Sequence, residues 1–588
     1  MGSGQPLSTG AEAASKKSIR DAARGSPAAA TPAWAWWALA CGAILFAAFA
    51  FTSLTRKSVT IDEFGHLPVG VNLLTTGDFD YCVLNPPLMN VLSAWPVVTL
   101  YSGPPDSEWS LDADRKHEFW DNGYEFMVRR AADYQKLFVV SRCVTVQMGV
   151  LLGVLLFFWA SLFELRRPAL AGLLAAGMTW FSPNVLAHAR LVTTDVGAAL
   201  FIALSLFCFH LFLNRSSTPR MLLAGATLGL AQLVKFTALF LYPVMIVLVW
   251  WWVRRSQPRK TRAFMIKSIL VFVISLITIN AGYLGNGSGR AIDSFEPVSA
   301  PWRTAQQVLP GWTPVPLPES YVRALDRQLR DVGEGDPSFL LGERYAGGRW
   351  YYFLVLIAFK TPLPLIVLGI IACARAIRDK SVMRSDGWIL LWPAGVLLVI
   401  VSVFSDKQIG LRMLLPVEPV FWLWTSVQLA RIRWNALFVG TIAVGSVWLI
   451  GLCAVIHPHY LSYFNILAGG PSNGHRIAID SNLDWGQDLI GLKEYMDEHK
   501  IERIQLLYFG RADPSIYGID YTVPTGKIRP GYLAVSHSLT GRPYFVNDHG
   551  LLTWSGPYDL DERVVGPVVT TIGHSIAVYH VGGSEPRP

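Results

Sequence analysis

The chain is predicted to be a polytopic α-helical membrane protein, with about eleven transmembrane helices and a small C-terminal α/β domain on the extracytoplasmic side. Three observations predict this. Of its 588 residues 52% are hydrophobic and 16% charged, with a mean hydropathy of +0.36, whereas about a quarter of the residues in a soluble globular chain are charged. Eleven apolar runs approach or reach the roughly 17–25 residues that cross a bilayer as helix. After His457 the hydropathy drops and helix and strand patterns alternate.

Residues 1–32 are rich in Ala, Ser, Gly and Pro with scattered Lys and Arg, which predicts a disordered cytoplasmic tail. The run 33–54 follows Lys16, Lys17, Arg20 and Arg24. It exceeds the roughly 7–15 apolar residues of a cleaved signal peptide, so it is read as the first span. Further spans are expected at 138–163, 168–187, 191–213, 220–234, 236–253, 265–283, 351–374, 387–404, 409–428 and 434–456, which makes 33–456 the transmembrane domain. Basic clusters at 166–167, 215–220, 254–262, 375–384 and 431–433 occupy every second connection and mark the cytoplasmic side. The long loops 55–137 and 284–350, and the C-terminal domain 457–588, then face outward, in what is read as a bacterial inner membrane. Only Arg56 and Lys57 stand against this.

The net charge of +8 sits in these short clusters rather than on one continuous face, so it reads as topology and excludes a nucleic-acid partner. The cysteines are Cys41, Cys82, Cys143, Cys208, Cys373 and Cys453, and all but Cys82 fall in or beside apolar runs. No disulfide framework or zinc spacing is present.

Residues 61–96 read as a polar, turn-rich loop that opens with Asp62-Glu63 and carries Asn85-Pro86-Pro87-Leu88. Later in the same connection, Trp95, Trp109, Trp120 and the pattern 118–130 predict a helix lying on the membrane surface with its aromatics toward the interface. The loop 284–350, broken by six prolines from Pro297 to Pro318, has room for one short helix at 321–329. In the C-terminal domain, Ser481-Asn482 precede Trp485, Leu489, Leu492 and Met496, as an N-cap precedes an amphipathic helix. Strands are expected at 504–509, 519–523, 532–535 and 564–579.

Ionisable side chains inside apolar runs are informative, because each costs roughly 2.5–3.5 kcal/mol at a helix centre on insertion scales. Arg142, His188, Arg190, Asp195, Lys235, Lys360 and Arg412 all fall at the boundary from which Asp62 and Glu63 emerge. Singly, Arg142 and Arg412 can snorkel, and Lys360 can cap a helix broken by Pro362 and Pro364. Asp195 is too short to snorkel, and Arg190 is a candidate partner. Glu418, between Pro416 and Pro419, is placed to brace a distorted helix. Together, carboxylates suit a general base that takes a proton from an acceptor hydroxyl, and cations suit a phosphate leaving group. A phosphate at headgroup level on an apolar anchor is a lipid-linked donor.

With these residues assembled, the chain resembles the bacterial family 39 branch of the GT-C glycosyltransferases, related to protein O-mannosyltransferases and to aminoarabinose transferases acting on lipid A. The matching patterns are Asp62-Glu63 with His66 and Gly70, Pro86-Pro87-Leu88, Arg142, Arg190 with Thr194-Asp195, and Leu341-Gly342-Glu343. Further on come 350–353 with Lys360-Thr361-Pro362, then 410–416, and Asn482-Leu483-Asp484-Trp485-Gly486-Gln487-Asp488. The resemblance implies a GT-C fold and an inverting transfer of one sugar from a polyprenyl-phosphate carrier to a lipid, glycan or protein acceptor. It implies Asp62 as general base with Glu63 beside it in the acceptor or metal environment, Arg142 as a donor-phosphate contact, and Asp195 as a second acidic position. Lys360, Arg412 and Lys235 join the phosphate set by position, with His66, Arg190 and His188 in support. The aminoarabinose transferases carry a Glu before Lys-Pro-Pro-Leu that helps hold a metal, where this chain has Leu84-Asn85. No cofactor is assigned, and a divalent metal stays open.

His66 reads either as a ligand or as a hydrogen-bonded structural histidine, and 484–487 either as an acceptor surface or as capping and core. Two rival functions remain: a transporter or lipid flippase, and a membrane anchor for a working C-terminal domain. If the catalytic core lies in the spans, removal of 457–588 is expected to leave the donor site assembled.

Overall fold

The computed structural model describes residues 31–80, 84–101, 119–255, 258–379, 387–524, 528–539 and 566–582. Most of the tail expected at 1–32, together with Cys82 and Trp109, lies outside the described residues.

All eleven apolar runs fold as helix over part or all of their length. Among the described residues, six helices are long and apolar enough to cross a membrane alone, and up to eight spans result if each bent pair counts once. Thr218–Val234 and Gly387–Val403 are 17 residues each and Glu418–Ala430 is 13. The expected count of eleven therefore depends on these shorter pieces.

Prolines set the breaks, because they remove an N–H and push the preceding residue out of the helical region. Pro168–Trp180 and Pro183–Ala189 meet at 66°, and Tyr352–Lys360 and Leu363–Arg378 at 116°. The run expected at 409–428 starts instead as a 3-10 turn, Leu411–Leu414, and becomes α-helix only at Glu418. Pro416 and Pro419 account for this correction. Glu418 then ties two breaks together, accepting from Ser182 Oγ (2.8 Å), Asn184 Nδ2 (2.8 Å) and Trp422 Nε1 (3.2 Å).

The stretch 61–96 is not a loop. It forms helices Ile61–Thr76 and Leu88–Leu100, the first opened by a reciprocal cap in which Thr60 N donates to Glu63 Oε2 at 3.0 Å. Phe119–Arg129 packs across it with Phe119, Phe126 and Met127 buried. A Cβ on Gly65 would lie 2.3 Å from the Phe119 ring, and one on Gly123 2.2 Å from Phe64. That close crossing buries Phe119 and Phe126, whereas Trp120 and Tyr124 stay partly exposed and Trp95, on the neighbouring helix, is exposed.

In the second long loop, Ala300–Val308 and Glu319–Glu334 are helical, more than the one short helix expected. The C-terminal residues carry a five-stranded sheet. Its order is Tyr521–Thr522, Ile504–Leu507, Gly531–Ser536, Ile576–Val581, Val568–Ile572, with the first two pairings parallel and the rest antiparallel. The strand expected at 564–579 is thus a hairpin turning at 573–575. Leu489–Glu498 covers one face of the sheet with Leu489, Leu492 and Met496. Trp485 lies outside that helix, because Gly486 takes φ 84° and breaks the helical course.

Candidate active site at one end of the bundle

Adjacent carboxylates at the start of Ile61–Thr76 face opposite ways. Glu63 is fully buried and accepts from Arg142 Nε and Nη2 at 2.7 Å each, from Val192 N at 2.9 Å, and from Thr60 N and Oγ1 at 3.0 Å. Burial pushes its carboxyl upward, but the Arg142 charge and these hydrogen bonds outweigh it and hold the carboxyl below the usual range. Asp62 points the other way, 24% exposed, and accepts from Arg412 Nη1 at 2.6 Å.

The same Arg412 nitrogen lies 3.5 Å from Asp195 Oδ2, so one guanidinium bridges carboxylates from two distant parts of the chain. Asp195, at the start of Asp195–Asn214, is buried and also accepts from Lys235 Nζ (2.6 Å) and Thr193 Oγ1 (3.2 Å), with His188 Nδ1 at 3.6 Å. Arg412 Nε is buried with no hydrogen-bond partner among the described residues. Arg412 thus pairs with the partly exposed Asp62, and Lys235, itself partly exposed, joins it on the buried Asp195.

The other expected phosphate contacts are spent elsewhere. Arg142 places its five N–H groups on Glu63 and on the carbonyls of Leu54, Lys57 and Ser58, so none is left for an anion. Lys360, at the 116° break, donates to the carbonyls of Leu461 (3.0 Å), Tyr463 (3.1 Å) and Asn482 (2.5 Å). Arg190 is fully buried, and its three nitrogens have no hydrogen-bond partner among the described residues.

His66, one turn after Asp62, bonds Asn90 Oδ1 through Nδ1 at 2.9 Å and meets Phe119 edge-on. Among the described residues, no group of three or more His, Cys, Asp or Glu could hold a metal ion. Beyond Asn90 opens a cleft lined by Val69, Leu73, Asp78, Asn85 and Tyr283.

Residues 117–284 match the family model described as dolichyl-phosphate-mannose-protein mannosyltransferase. Among solved structures, the chain is similar to apo ArnT from Cupriavidus metallidurans, at 12% identity over 93% of this chain and 97% of that one, with a TM-score of 0.47. It is similar to the apo oligosaccharyltransferase of Archaeoglobus fulgidus, at 12% identity over 90% and 75%, with a TM-score of 0.47. It is also similar to the S. cerevisiae protein O-mannosyltransferase complex bound to its sugar donor, at 15% identity over 44% and 34%, with a TM-score of 0.34. No curated protein matches the chain.

Nothing in the local sequence pattern shows how far the C-terminal part of the chain enters this site. Lys57 and Asp488 form a buried ion pair, and Ser58 N donates to Gln487 O at 3.0 Å. Trp485 lies 4.2 Å under the Arg412 guanidinium. Removal of 457–588 therefore strips contacts from Arg412 and Lys57. The 482–488 pattern is polar and turn-like where an amphipathic helix was read.

Proposed function

We propose that the chain moves a single sugar, with inversion, from a polyprenyl-phosphate carrier to a lipid, glycan or protein acceptor at the extracytoplasmic face of a bacterial inner membrane. In this reading Asp62 takes the proton of the acceptor hydroxyl. The acceptor oxygen bonds to the anomeric carbon, and the carbon–oxygen bond to phosphate breaks with its electron pair left on the phosphate. Arg412 and Lys235 stabilise that charge, which is greatest at the transition state. Arg142 and Lys360 are reassigned to holding the backbone that carries these groups. The cleft beyond Asn90 supplies amides, a carboxylate and an aromatic face to a hydroxylated ring.

One observation carries the reading: Asp62, the partly exposed member of three clustered carboxylates, shares a guanidinium with buried Asp195, and that guanidinium keeps an Nε with no partner among the described residues. Such a group is poised to exchange a carboxylate for a phosphate. ArnT from Cupriavidus metallidurans is also known bound to undecaprenyl phosphate, and the carrier proposed for this chain is of that chemical class. The test is sugar transfer from a polyprenyl-phosphate donor in proteoliposomes. Asp62→Asn is expected to abolish transfer while undecaprenyl phosphate still binds, and full activity in that variant excludes Asp62 as the base.

A further inference from the structure

Segment 481–488 touches the site beside two of its charged members, Asp62 and Arg412. Ile61 N, beside Asp62, donates to Trp485 O at 3.1 Å. Leu411 N, beside Arg412, donates to Asn482 Oδ1 at 3.0 Å, and Ser481 Oγ donates to Ile409 O at 2.5 Å. One strip of chain therefore holds the residue preceding the carboxylate and the residue preceding the cation. It is anchored from behind by the Lys57–Asp488 pair and by Ser58, whose Oγ donates to Gly486 O (2.8 Å) and accepts from Leu489 N (3.1 Å).

Trp485 is the member of this strip that reaches the charges. Its ring lies 4.2 Å below the Arg412 guanidinium carbon and 6.1 Å, edge to face, from His188, the neighbour of Asp195. The indole is 2% exposed, so the cation sits on a dry aromatic face, where such attraction is at its strongest. Arg412 itself belongs to a short 3-10 turn with few backbone bonds to fix a long side chain. Without the ring, its guanidinium is held by the charges of Asp62 and Asp195, which it must leave when a phosphate arrives, and by the field of Asp480.

We infer that Trp485 is a positioning residue for phosphate binding, and that the C-terminal domain is thereby an obligatory part of the transferase site. This rests on the proposed role of Arg412. The indole keeps the guanidinium aimed into the site in both states, on Asp62 and Asp195 before the donor binds and on its phosphate afterwards. It touches no reacting atom. Gly486, whose φ of 84° turns the chain beneath the indole, has no room for a Cβ, which would meet Tyr508 Oη at 2.6 Å.

The test is a double-variant cycle read by binding of undecaprenyl phosphate to the full-length protein in nanodiscs. Trp485→Leu is expected to weaken binding about tenfold, and Trp485→Phe, which retains a ring, to restore most of it. In an Arg412→Gln background, Trp485→Leu is expected to weaken binding no further, because the ring acts through the guanidinium. Equal losses in both backgrounds, or no loss in either, overturn the inference, since a merely structural tryptophan acts independently of Arg412. Asp62→Asn, measured in parallel, separates the two readings. Loss of transfer there with an additive cycle removes only the positioning role, whereas retained transfer removes the proposed chemistry.

Discussion

The two neighbouring carboxylates at the start of Ile61–Thr76 provide the sharpest contrast. Glu63→Gln keeps the size of the side chain but removes the charge that faces Arg142. The amide also turns an N–H₂ toward a guanidinium whose own N–H groups already point at it. Both partners are fully buried, so Arg142 is left charged in a dry site beside Arg190. Breaking a buried pair from one side costs about 3–5 kcal/mol, and the donors of Val192 and Thr60 lose part of their acceptor as well. Asp62→Asn changes a partly exposed group with one ion-pair partner, so its effect on folding is small, about 1 kcal/mol or less. On the proposed role its effect on rate is large, because loss of a general base slows a reaction by about 10²–10⁴-fold. Thermal unfolding of the detergent-solubilised proteins, measured beside transfer from a polyprenyl-phosphate sugar, reads both quantities. Glu63→Gln is expected to unfold well below the wild type, and Asp62→Asn to unfold close to it while being inactive. The reverse pattern, a stable but inactive Glu63→Gln with an active Asp62→Asn, would refute the division of roles.

Lys360→Met orphans three buried carbonyls, and an unsatisfied buried group costs about 1–3 kcal/mol. The expected outcome is a lower unfolding temperature with an unchanged KM for donor in whatever folds; a raised donor KM at native stability returns Lys360 to the phosphate set. Arg412→Ala removes charge-assisted bonds of about 1.5–3 kcal/mol each, so kcat/KM for donor is expected to fall about 10–150-fold, and a fall below threefold argues against phosphate contact. Burial pushes the Asp484 carboxyl up to about 7, so the folded state retains a proton that the unfolded chain has released. That contribution to stability is full below the ordinary carboxylate range and is lost as pH rises through about 7. Unfolding temperatures compared near pH 5 and pH 8 are expected to converge in Asp484→Asn relative to wild type. An unchanged difference shows that Asp484 does not titrate there.

The apolar helices and the gathering of Asp62, Asp195, Lys235 and Arg412 from distant segments were legible in the chain. They follow from local quantities: a run of apolar residues has nowhere to go but lipid or core, and an ionisable group within it has few places to be satisfied. The choice among those places was decided by tertiary structure. Arg142 and Arg412 look alike in sequence, each a single cation in or beside an apolar run. One spends its five N–H groups on Glu63 and backbone carbonyls, whereas the other keeps an Nε unpaired beside the exposed Asp62. Lys57, read only as a topological exception, pairs with Asp488 across 431 positions, a separation that no local pattern encodes. Trp485 was read into a helix because its spacing to Leu489 and Leu492 is helical, and only the turn at Gly486 sends it to Arg412 instead. Which side chains a chain can bury is written in residue type and spacing. Which buried charge meets which partner depends on contacts between distant segments, and these exist only once the backbone has closed around them.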